Sequence, residues 1–327
     1  MQKKVKRERG RWRAGIRGSA IVPFVIVLLF AYLLTIPPRL VVQVNSGVTT
    51  LFVNNHSEDT LIKPELFGIK SDRVEKFSYT SFDGLKLKVI KIPALQNLSK
   101  SIPEEAGKGA IIFLHGVRRH KEQVYPMAAF FSAAGYDCYA PDLRSHGESE
   151  GRFTTYGFKE MQDVSRLIDT ISHNYKNGGS IILWGQSMGA ATAMLTMAQD
   201  NRVTAGIVES TFSDFREVVG DYFVRDIGFR SKPVLSYMIW GAGILTGLDA
   251  SQISPLEYSS RISAPVLLVH GTADKKIDIS HAHRIYARLK SPGSRFLQVE
   301  KARHTNIWET GGDLYFKRVL EFLQASK

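Results

Sequence analysis

The pentapeptide 185–189, Gly-Gln-Ser-Met-Gly, places a serine where it could act as a nucleophile. An apolar run of strand length, 180–184, precedes it, and a stretch rich in Ala, Met and Leu, 188–198, follows it as a buried helix would. In such a strand–turn–helix the serine backbone is strained, so a glycine two residues to either side must let strand and helix pass closely. The pattern predicts Ser187 as a nucleophile, although an ordinary glycine-rich turn would also fit it.

A nucleophilic serine needs a base, a carboxylate that orients the base, and donors for the oxyanion that forms on the attacked carbonyl. Asp274 follows the apolar strand 266–270, and His304 follows the next short strand. Both lie beyond strand carboxyl ends, where open parallel sheets gather their ligands. We therefore predict Asp274 as the orienting acid and His304 as the base. Glu209, at the end of another apolar run, remains an alternative acid.

The loop after the buried run 110–114 carries a second set of polar groups. It begins with His115 and Gly116, and we expect the backbone N–H of Val117 to form an oxyanion hole together with that of Met188. The cluster 118–121, Arg-Arg-His-Lys, follows directly. It is either a solvated loop or a group that attracts a phosphate or carboxylate.

Five motifs occur in a fixed order: His115-Gly116, the loop Ala-Pro-Asp-Leu-Arg-Ser-His-Gly-Glu-Ser at 140–149, Gly-Gln-Ser-Met-Gly at 185–189, His-Gly-Thr-Ala-Asp at 270–274, and His304. Together they resemble the α/β-hydrolase superfamily, and more narrowly its monoacylglycerol-lipase-like and serine-aminopeptidase-like branch. The resemblance covers residues 71–327. It implies Ser187 as nucleophile, His304 as base, Asp274 as acid, Val117 and Met188 as oxyanion donors, and no cofactor.

One position departs from the family's pattern, which usually has glycine where this chain has Ser145. We expect little effect on the chemistry, because the loop is mainly structural. Asp142 and Arg144 in the same loop are interpreted as an internal ion pair. His115, His146 and His270 are interpreted as structural, and His281 as facing solvent. No metal site is predicted, since no His-x-x-x-His pair or cysteine cluster occurs and Cys138 is the only cysteine.

The pattern of elements predicts an α/β-hydrolase fold with a mostly parallel eight-stranded sheet and helices on both faces. Strands are predicted at 77–81, 85–92, 110–114, 137–140, 180–184, 206–209, 266–270 and 295–299, and helices at 124–134, 158–173, 187–199, 280–289 and 313–324. The longest insertion, about 211–261, is predicted to be a short cap. Its aromatic residues could bind acyl chains, or they could simply pack a helix pair on the sheet.

The amino terminus predicts a membrane anchor. Residues 1–18 carry eight Lys or Arg against one Glu, which is +7 of the chain's formal +12. The next segment, 20–36, is uncharged and at the lower edge of the length that spans a bilayer. A secretory signal peptide would show a small-x-small cleavage site, and none occurs here. The sequence predicts a basic cytoplasmic tail at 1–19, one transmembrane signal anchor at 20–36 and a stalk at 37–70.

The hydrolase domain, 71–327, then lies on the extracytoplasmic side, because positive charge stays in the cytoplasm. The basic tail has no nucleic-acid recognition module beside it and suits anionic lipid headgroups better. The predicted activity is hydrolysis of carboxylic esters, of lipid or acyl type, through an acyl-enzyme intermediate. A serine peptidase or amidase of the same fold is the alternative. A membrane-tethered binding protein without turnover is a third reading. The sequence leaves the oligomeric state open.

Overall fold

The architecture is described from a computed structural model of the whole chain. It describes residues 25, 27, 31, 32, 34–43, 62–95, 108–175 and 179–326. The predicted anchor at 20–36 and tail at 1–19 therefore fall mostly outside the described residues. Among the residues that are described, no helix is both long enough and apolar enough to cross a membrane.

One eight-stranded sheet forms the centre of the molecule. Its strands are β1 (Glu75–Thr80), β2 (Lys86–Ile92), β3 (Gly109–Leu114), β4 (Asp137–Pro141), β5 (Ser180–Gln186), β6 (Ala205–Glu209), β7 (Val266–Gly271) and β8 (Arg295–Val299). The strand order is β1-β2-β4-β3-β5-β6-β7-β8. The first two strands pair antiparallel, β2 also pairs antiparallel with β4, and all other neighbours are parallel. The predicted mostly parallel sheet is confirmed.

The sequence of each strand matches its place in the sheet. Every residue of β3 is buried, as expected for a central parallel strand covered on both faces. In β2, nearer the edge, Leu87 and Val89 are buried whereas Lys86 and Lys88 are more accessible. An alternating strand of this kind has one face on the core and one towards solvent.

Helices cover both faces of the sheet, as predicted. The helices are α1 (Ile36–Val42), α2 (Tyr125–Ala133), α3 (Glu160–Ile171), α4 (Met188–Met197), α5 (Phe215–Ile227), α6 (Lys232–Thr246), α7 (Pro255–Ser259), α8 (Ser280–Arg288) and α9 (Ile307–Ala325). Residues of α2 and α9 share one hydrophobic core with the sheet, and residues of α3, α4 and α8 share the other. The last helix begins earlier than the predicted 313–324 and is interrupted at Gly312, which has a φ of 51°.

Between β6 and β7 the chain forms a small helical layer that includes α5 and α6. These helices share a third core with Phe212, Ile253 and residues of α1. The segment 36–42, assigned from sequence to the end of an anchor and the start of a stalk, is helical and packs on α6, where a Cβ on Gly241 would come within 2.4 Å of the ring of Pro38. This contact connects the chain after the predicted anchor directly to the layer above the sheet.

Candidate active site

The serine at the β5–α4 junction has a strained backbone. Ser187 has φ 56° and ψ −117°, a conformation that residues with a side chain rarely adopt. Its amide donates to the carbonyl of Glu209 on the neighbouring strand, at 2.9 Å. A Cβ on Gly189 would lie 2.0 Å from the carbonyl oxygen of Leu114, and one on Gly185 would lie 2.3 Å from the carbonyl oxygen of Gly189. The glycines are therefore required by close backbone contacts on both sides of the serine.

A chain of hydrogen bonds joins the three residues predicted to act together. The Nε2 atom of His304 lies 3.0 Å from Oγ of Ser187, and its Nδ1 atom lies 2.7 Å from Oδ2 of Asp274. All three residues are largely buried, at 7 to 8% exposure. Because an ionised carboxylate can only accept, Nδ1 carries the proton and Nε2 is free to take the proton of the serine.

Backbone contacts fix the loops that carry the acid and the base. The amides of Thr272 and Ala273, just before Asp274, donate to the carbonyls of Val299 and Ala302, at 3.0 and 2.9 Å. A Cβ on Gly271 would meet the carbonyl oxygen of Ala302 at 2.3 Å, so only glycine allows the two loops to approach this closely. The positions of acid and base are thereby tied to each other.

Asp274 is held in its charged form. Burial opposes ionisation, but hydrogen bonds from His270 and His304, together with the charge of His304, lower the pKa of Asp274 well below its usual range. Its Oδ1 atom accepts from the amides of Lys276 and Ile277, at 2.8 and 3.0 Å. A carboxylate fixed in this way can orient an imidazole and stabilise its protonated form.

Two backbone N–H groups beside the serine are free to bind an oxyanion. Among the described residues, no acceptor takes a hydrogen bond from the N–H of Val117 or Met188. Met188 begins α4, and the first N–H groups of a helix have no partner within it. The loop of Val117 approaches the serine closely, because a Cβ on Gly116 would lie 3.4 Å from Cβ of Ser187. Both N–H groups are therefore available for an oxyanion, which an oxyanion hole requires.

The alternative acid, Glu209, has different partners. Its side chain is fully buried and accepts a hydrogen bond from the hydroxyl of Tyr315, which in turn accepts one from the indole N–H of Trp184. Its second oxygen has no hydrogen-bond partner among the described residues. Both nitrogens of His304 are engaged by Ser187 and Asp274. The geometry therefore favours Asp274 as the partner of the histidine.

Three histidines interpreted as structural make local hydrogen bonds. The Nε2 atom of His115 accepts from the amide of Leu143, and Nδ1 donates to the carbonyl of Gly116. His146 bonds to the carbonyl of Arg144, and His270 to that of Ile277 as well as contacting Asp274. His270 thus helps to hold in place the loop that carries Asp274.

Two interpretations made from sequence are wrong. His281 does not face solvent: it is 2% exposed and its Nδ1 accepts from the amide of Ser213, because α8 turns this position under α5. Asp142 and Arg144 do not pair with each other. Asp142 instead binds Lys121, and Arg144 binds Asp163 and Asp83.

One group of side chains resembles a metal-binding set. Potential ligand atoms of Glu217, Asp221 and His281 lie within 4.8 Å of one another. The guanidinium of Arg284, however, donates to both carboxylate oxygens of Glu217, at 2.8 and 2.9 Å, and lies 3.0 Å from Nδ1 of His281. A cation already occupies this cluster, so we interpret it as a bridge between α5 and α8.

Comparison with known proteins agrees with the fold and the motifs. A family profile described as "Serine aminopeptidase, S33" matches residues 105–254. The uncharacterized protein YqkD of Bacillus subtilis is 26% identical over 84% of this chain and 89% of its own length. A monoacylglycerol lipase of Mycolicibacterium smegmatis is 24% identical over 58% of this chain and 78% of its own length. An esterase of Pyrococcus furiosus superposes with a TM-score of 0.64 at 22% identity, covering 80% of this chain and 94% of that one.

The strand order, the elbow at Ser187 and these matches define one class of protein. The chain has the α/β-hydrolase fold, and its sequence is similar to members of that superfamily.

Proposed function

We propose that this protein is a membrane-anchored serine hydrolase that cleaves carboxylic esters, in the manner of carboxylesterases and lipases. In this proposal Ser187 is the nucleophile, His304 the general base and acid, and Asp274 the residue that orients the histidine. The observation that carries it is the continuous hydrogen-bonded chain from Oγ of Ser187 to the carboxylate of Asp274. The reaction needs no cofactor.

The reaction proceeds in two halves. Oγ of Ser187 attacks the ester carbonyl while Nε2 of His304 takes its proton, and the N–H groups of Val117 and Met188 stabilise the oxyanion. The intermediate collapses to an acyl-enzyme as His304 returns the proton to the departing alcohol. Water then attacks the acyl group, again with His304 as base, and releases the carboxylic acid and free serine.

An acyl or lipid ester is favoured as substrate because of the layer above the sheet. Large apolar side chains are exposed on or beside α5 and α6, among them Ile227, Phe229, Val234, Trp240 and Ile244. Exposed apolar surface of this kind suits contact with a lipid or an acyl chain. The segment 20–36 would hold the protein at the membrane, and α1 would continue from it onto α6.

Amide or peptide hydrolysis is the second candidate, because the matching family profile carries the name of a serine aminopeptidase. The same serine, histidine and oxyanion donors can cleave either bond. Hydrolysis of an aminoacyl p-nitroanilide, compared with the corresponding p-nitrophenyl ester, distinguishes the two. A ratio of kcat/KM in favour of the anilide would reverse our preference.

The test is hydrolysis of p-nitrophenyl esters from acetyl to palmitoyl by the full-length protein in non-ionic detergent. We expect turnover that rises with acyl length and that falls by a factor on the order of 10⁴ or more in Ser187→Ala. A fluorophosphonate probe should label the wild type and not this variant. Turnover or labelling that survives in Ser187→Ala would contradict the assignment, and absence of both in the folded wild type would favour a binding protein.

A pair of variants tests whether Asp274 or Glu209 is the acid that orients His304. Asp274→Asn should lower kcat by about 10⁴, because the amide cannot hold the proton on Nδ1 of His304. Glu209→Gln is the matched control, since it also turns a buried carboxyl near the elbow into an amide. A larger loss in Glu209→Gln than in Asp274→Asn would identify Glu209 as the acid.

A further inference from the structure

Four cationic side chains from three different elements interact electrostatically near the proposed acid, Asp274. They are Arg118 and Arg119 in the loop after β3, Lys276 in the loop that carries Asp274, and Arg225 on α5. Resting on the function proposed above, we propose that these cations form a binding site for an anionic group of the substrate. The preferred esters would then carry a phosphate or carboxylate close to the scissile bond.

The loop after β3 brings two arginines beside the nucleophile. A Cβ on Gly116 would lie 3.4 Å from Cβ of Ser187 and 3.9 Å from Cγ of Arg119, so this arginine begins beside the turn that contacts the nucleophile. The turn is tight, because the amide of Arg119 donates to the carbonyl of Gly116 and Arg118 has a φ of 59°. Both arginines follow directly on Val117, the proposed oxyanion donor.

Lys276 approaches the same region from the acid side. Its amide donates to Oδ1 of Asp274 at 2.8 Å, which fixes the start of its side chain two residues from the acid. Burial, followed by the charges of Arg225, Arg119 and Arg118, lowers the pKa of Lys276. The charges of all three arginines thus act on the lysine, against the opposing charge of Asp274, and a bound anion would relieve the repulsion among the four cations.

The helical layer supplies the fourth cation. Arg225 lies over the ring of Tyr222, 4.5 Å from its centroid. Burial raises the pKa of Tyr222, the hydrogen bond with Asp226 raises the pKa of Arg225, and the charge of Asp274 adds a smaller effect to both. Arg225 pairs with Asp226 at 2.8 Å, so part of its charge is balanced. It is therefore a boundary of the proposed anion site rather than its centre.

The other three cations are not balanced in this way. Within the described residues, no carboxylate lies at ion-pair distance from Arg118, Arg119 or Lys276. Asp274 is engaged by His304, and the exposed Glu309 acts on Arg119 only through longer-range electrostatics.

The two residues that follow Arg119 have different partners. This difference bears on whether the cluster 118–121 is a solvated loop or a group that attracts an anion. Lys121 is buried and binds Asp142, Glu148 and Glu122, and His120 binds Glu122. These two residues hold the loop in place. Arg118 and Arg119 are left with no such task, so this half of the cluster is available to a ligand.

The inference is tested with a charge series of short, soluble esters that share a butyryl group. Butyrylglycerol phosphate and 3-butyryloxypropanoate carry an anion, butyrylglycerol is neutral, and butyrylcholine is a cation. We expect kcat/KM at low ionic strength to be about tenfold higher for the anionic esters than for butyrylglycerol, and lowest for butyrylcholine. The preference should shrink as salt is raised. The two anionic esters show whether phosphate or carboxylate is preferred.

Variants locate the effect. Arg119→Gln and Lys276→Gln should each lower the ratio of kcat/KM for butyrylglycerol phosphate to that for butyrylglycerol by at least about threefold, mainly through KM. Arg166→Gln is the matched control, because it removes one positive charge from exposed α3, where Arg166 pairs with Asp169. It should leave the ratio unchanged.

The outcomes separate this inference from the proposed function. Serine-dependent hydrolysis of all four esters without a charge preference, or a ratio that falls equally in Arg166→Gln, would overturn the anion site and leave the hydrolase intact. If no ester is turned over, binding of butyrylglycerol phosphate to the full-length protein by calorimetry decides. Binding weakened by Lys276→Gln would support the site without the activity, and no binding would overturn it.

Discussion

At the scale of single residues, Glu209 is the least expected group near the elbow. It is a fully buried carboxyl whose backbone carbonyl accepts from the amide of Ser187 and whose side chain accepts from Tyr315. Burial raises the pKa of Glu209 to about 8, against the effect of the hydrogen bond from Tyr315. The side chain is therefore mostly protonated at neutral pH, which lets it remain in the core beside the nucleophile without a charged partner.

This raised pKa predicts a pH-dependent stability. The folded state holds the proton of Glu209 more tightly than the unfolded state, whose pKa is near 4.5. Its contribution is therefore complete below about pH 4.5 and is lost as the pH rises towards 8, by up to roughly 1.4 kcal/mol per pH unit. Glu209→Gln cannot ionise, so its free energy of unfolding should improve relative to the wild type between pH 5 and pH 8.

Urea unfolding followed by tryptophan fluorescence at both pH values measures this difference. Glu257→Gln, which changes an exposed carboxyl on α7, is the control and should follow the wild type. An unchanged difference between wild type and Glu209→Gln at the two pH values would show that the carboxyl is not buried as a neutral group.

At the scale of elements, the junction of β5 and α4 requires close contact between its backbone and that of β3, with no room for a side chain between them. A Cβ at Gly189 would lie 2.0 Å from the carbonyl oxygen of Leu114, and the backbone there cannot move without disturbing β3. A Cβ on Gly220, within α5, would have more room, because the nearest atom would be a side-chain carbon of Leu235 at 3.7 Å. The same substitution should therefore have opposite effects at these two helical positions.

Gly189→Ala should lower the free energy of unfolding by about 3 kcal/mol, because the added methyl overlaps with main-chain atoms. Gly220→Ala should raise it by about 0.5 to 1 kcal/mol, since alanine loses less backbone entropy in a helix. Thermal unfolding of both variants and the wild type checks the pair. Equal shifts of the same sign would mean that helix propensity, and not the close approach at the elbow, determines the result.

The sheet and its main helices could be predicted from sequence because their signals are local. Apolar runs such as 110–114 and 266–269 identify strands, and the helical period identifies α3 and α8. The helix α1 could not be found in this way, because its apolar residues continue an apolar segment and its partner, α6, is about two hundred residues away. His281 was misassigned for a similar reason, since its burial depends on α5 and not on its own helix.

In the candidate site, too, the residues marked by local motifs could be predicted, whereas those brought together only by the tertiary fold could not. Ser187, Asp274 and His304 follow strand ends in a known order, so motif and topology together predict that they meet. The cations Arg119 and Lys276 were harder to connect, because their proximity depends on how two loops fold above the sheet. For Arg119 the basic cluster 118–121 was a local signal, whereas Lys276 was marked only by lying two residues after Asp274.

At the scale of the whole molecule, the basic tail, the uncharged segment and the exposed apolar surface follow one another from the amino terminus to the helical layer. Residues 1–18 hold +7 of the formal +12, the uncharged segment 20–36 follows, and α1 then packs on α6 of the helical layer. If 20–36 spans a bilayer, the exposed apolar side chains of this layer, Trp240 and Ile244 among them, lie on the part of the domain joined to the membrane. The proposed site would then receive esters from the membrane surface.

This arrangement predicts the orientation of the protein in a bacterial host. The full-length chain should resist extraction by high salt and alkaline carbonate, and detergent should release it, because an apolar helix and not charge retains it. In spheroplasts, added protease should digest the hydrolase domain while a cytoplasmic host protein stays intact. Replacing the eight basic residues of 1–18 by glutamine should leave the chain in the membrane but protect a large fraction of the domain, since positive charge determines which side stays cytoplasmic. Release of the wild type by carbonate would contradict a spanning anchor, whereas a domain protected in the wild type would reverse the predicted orientation.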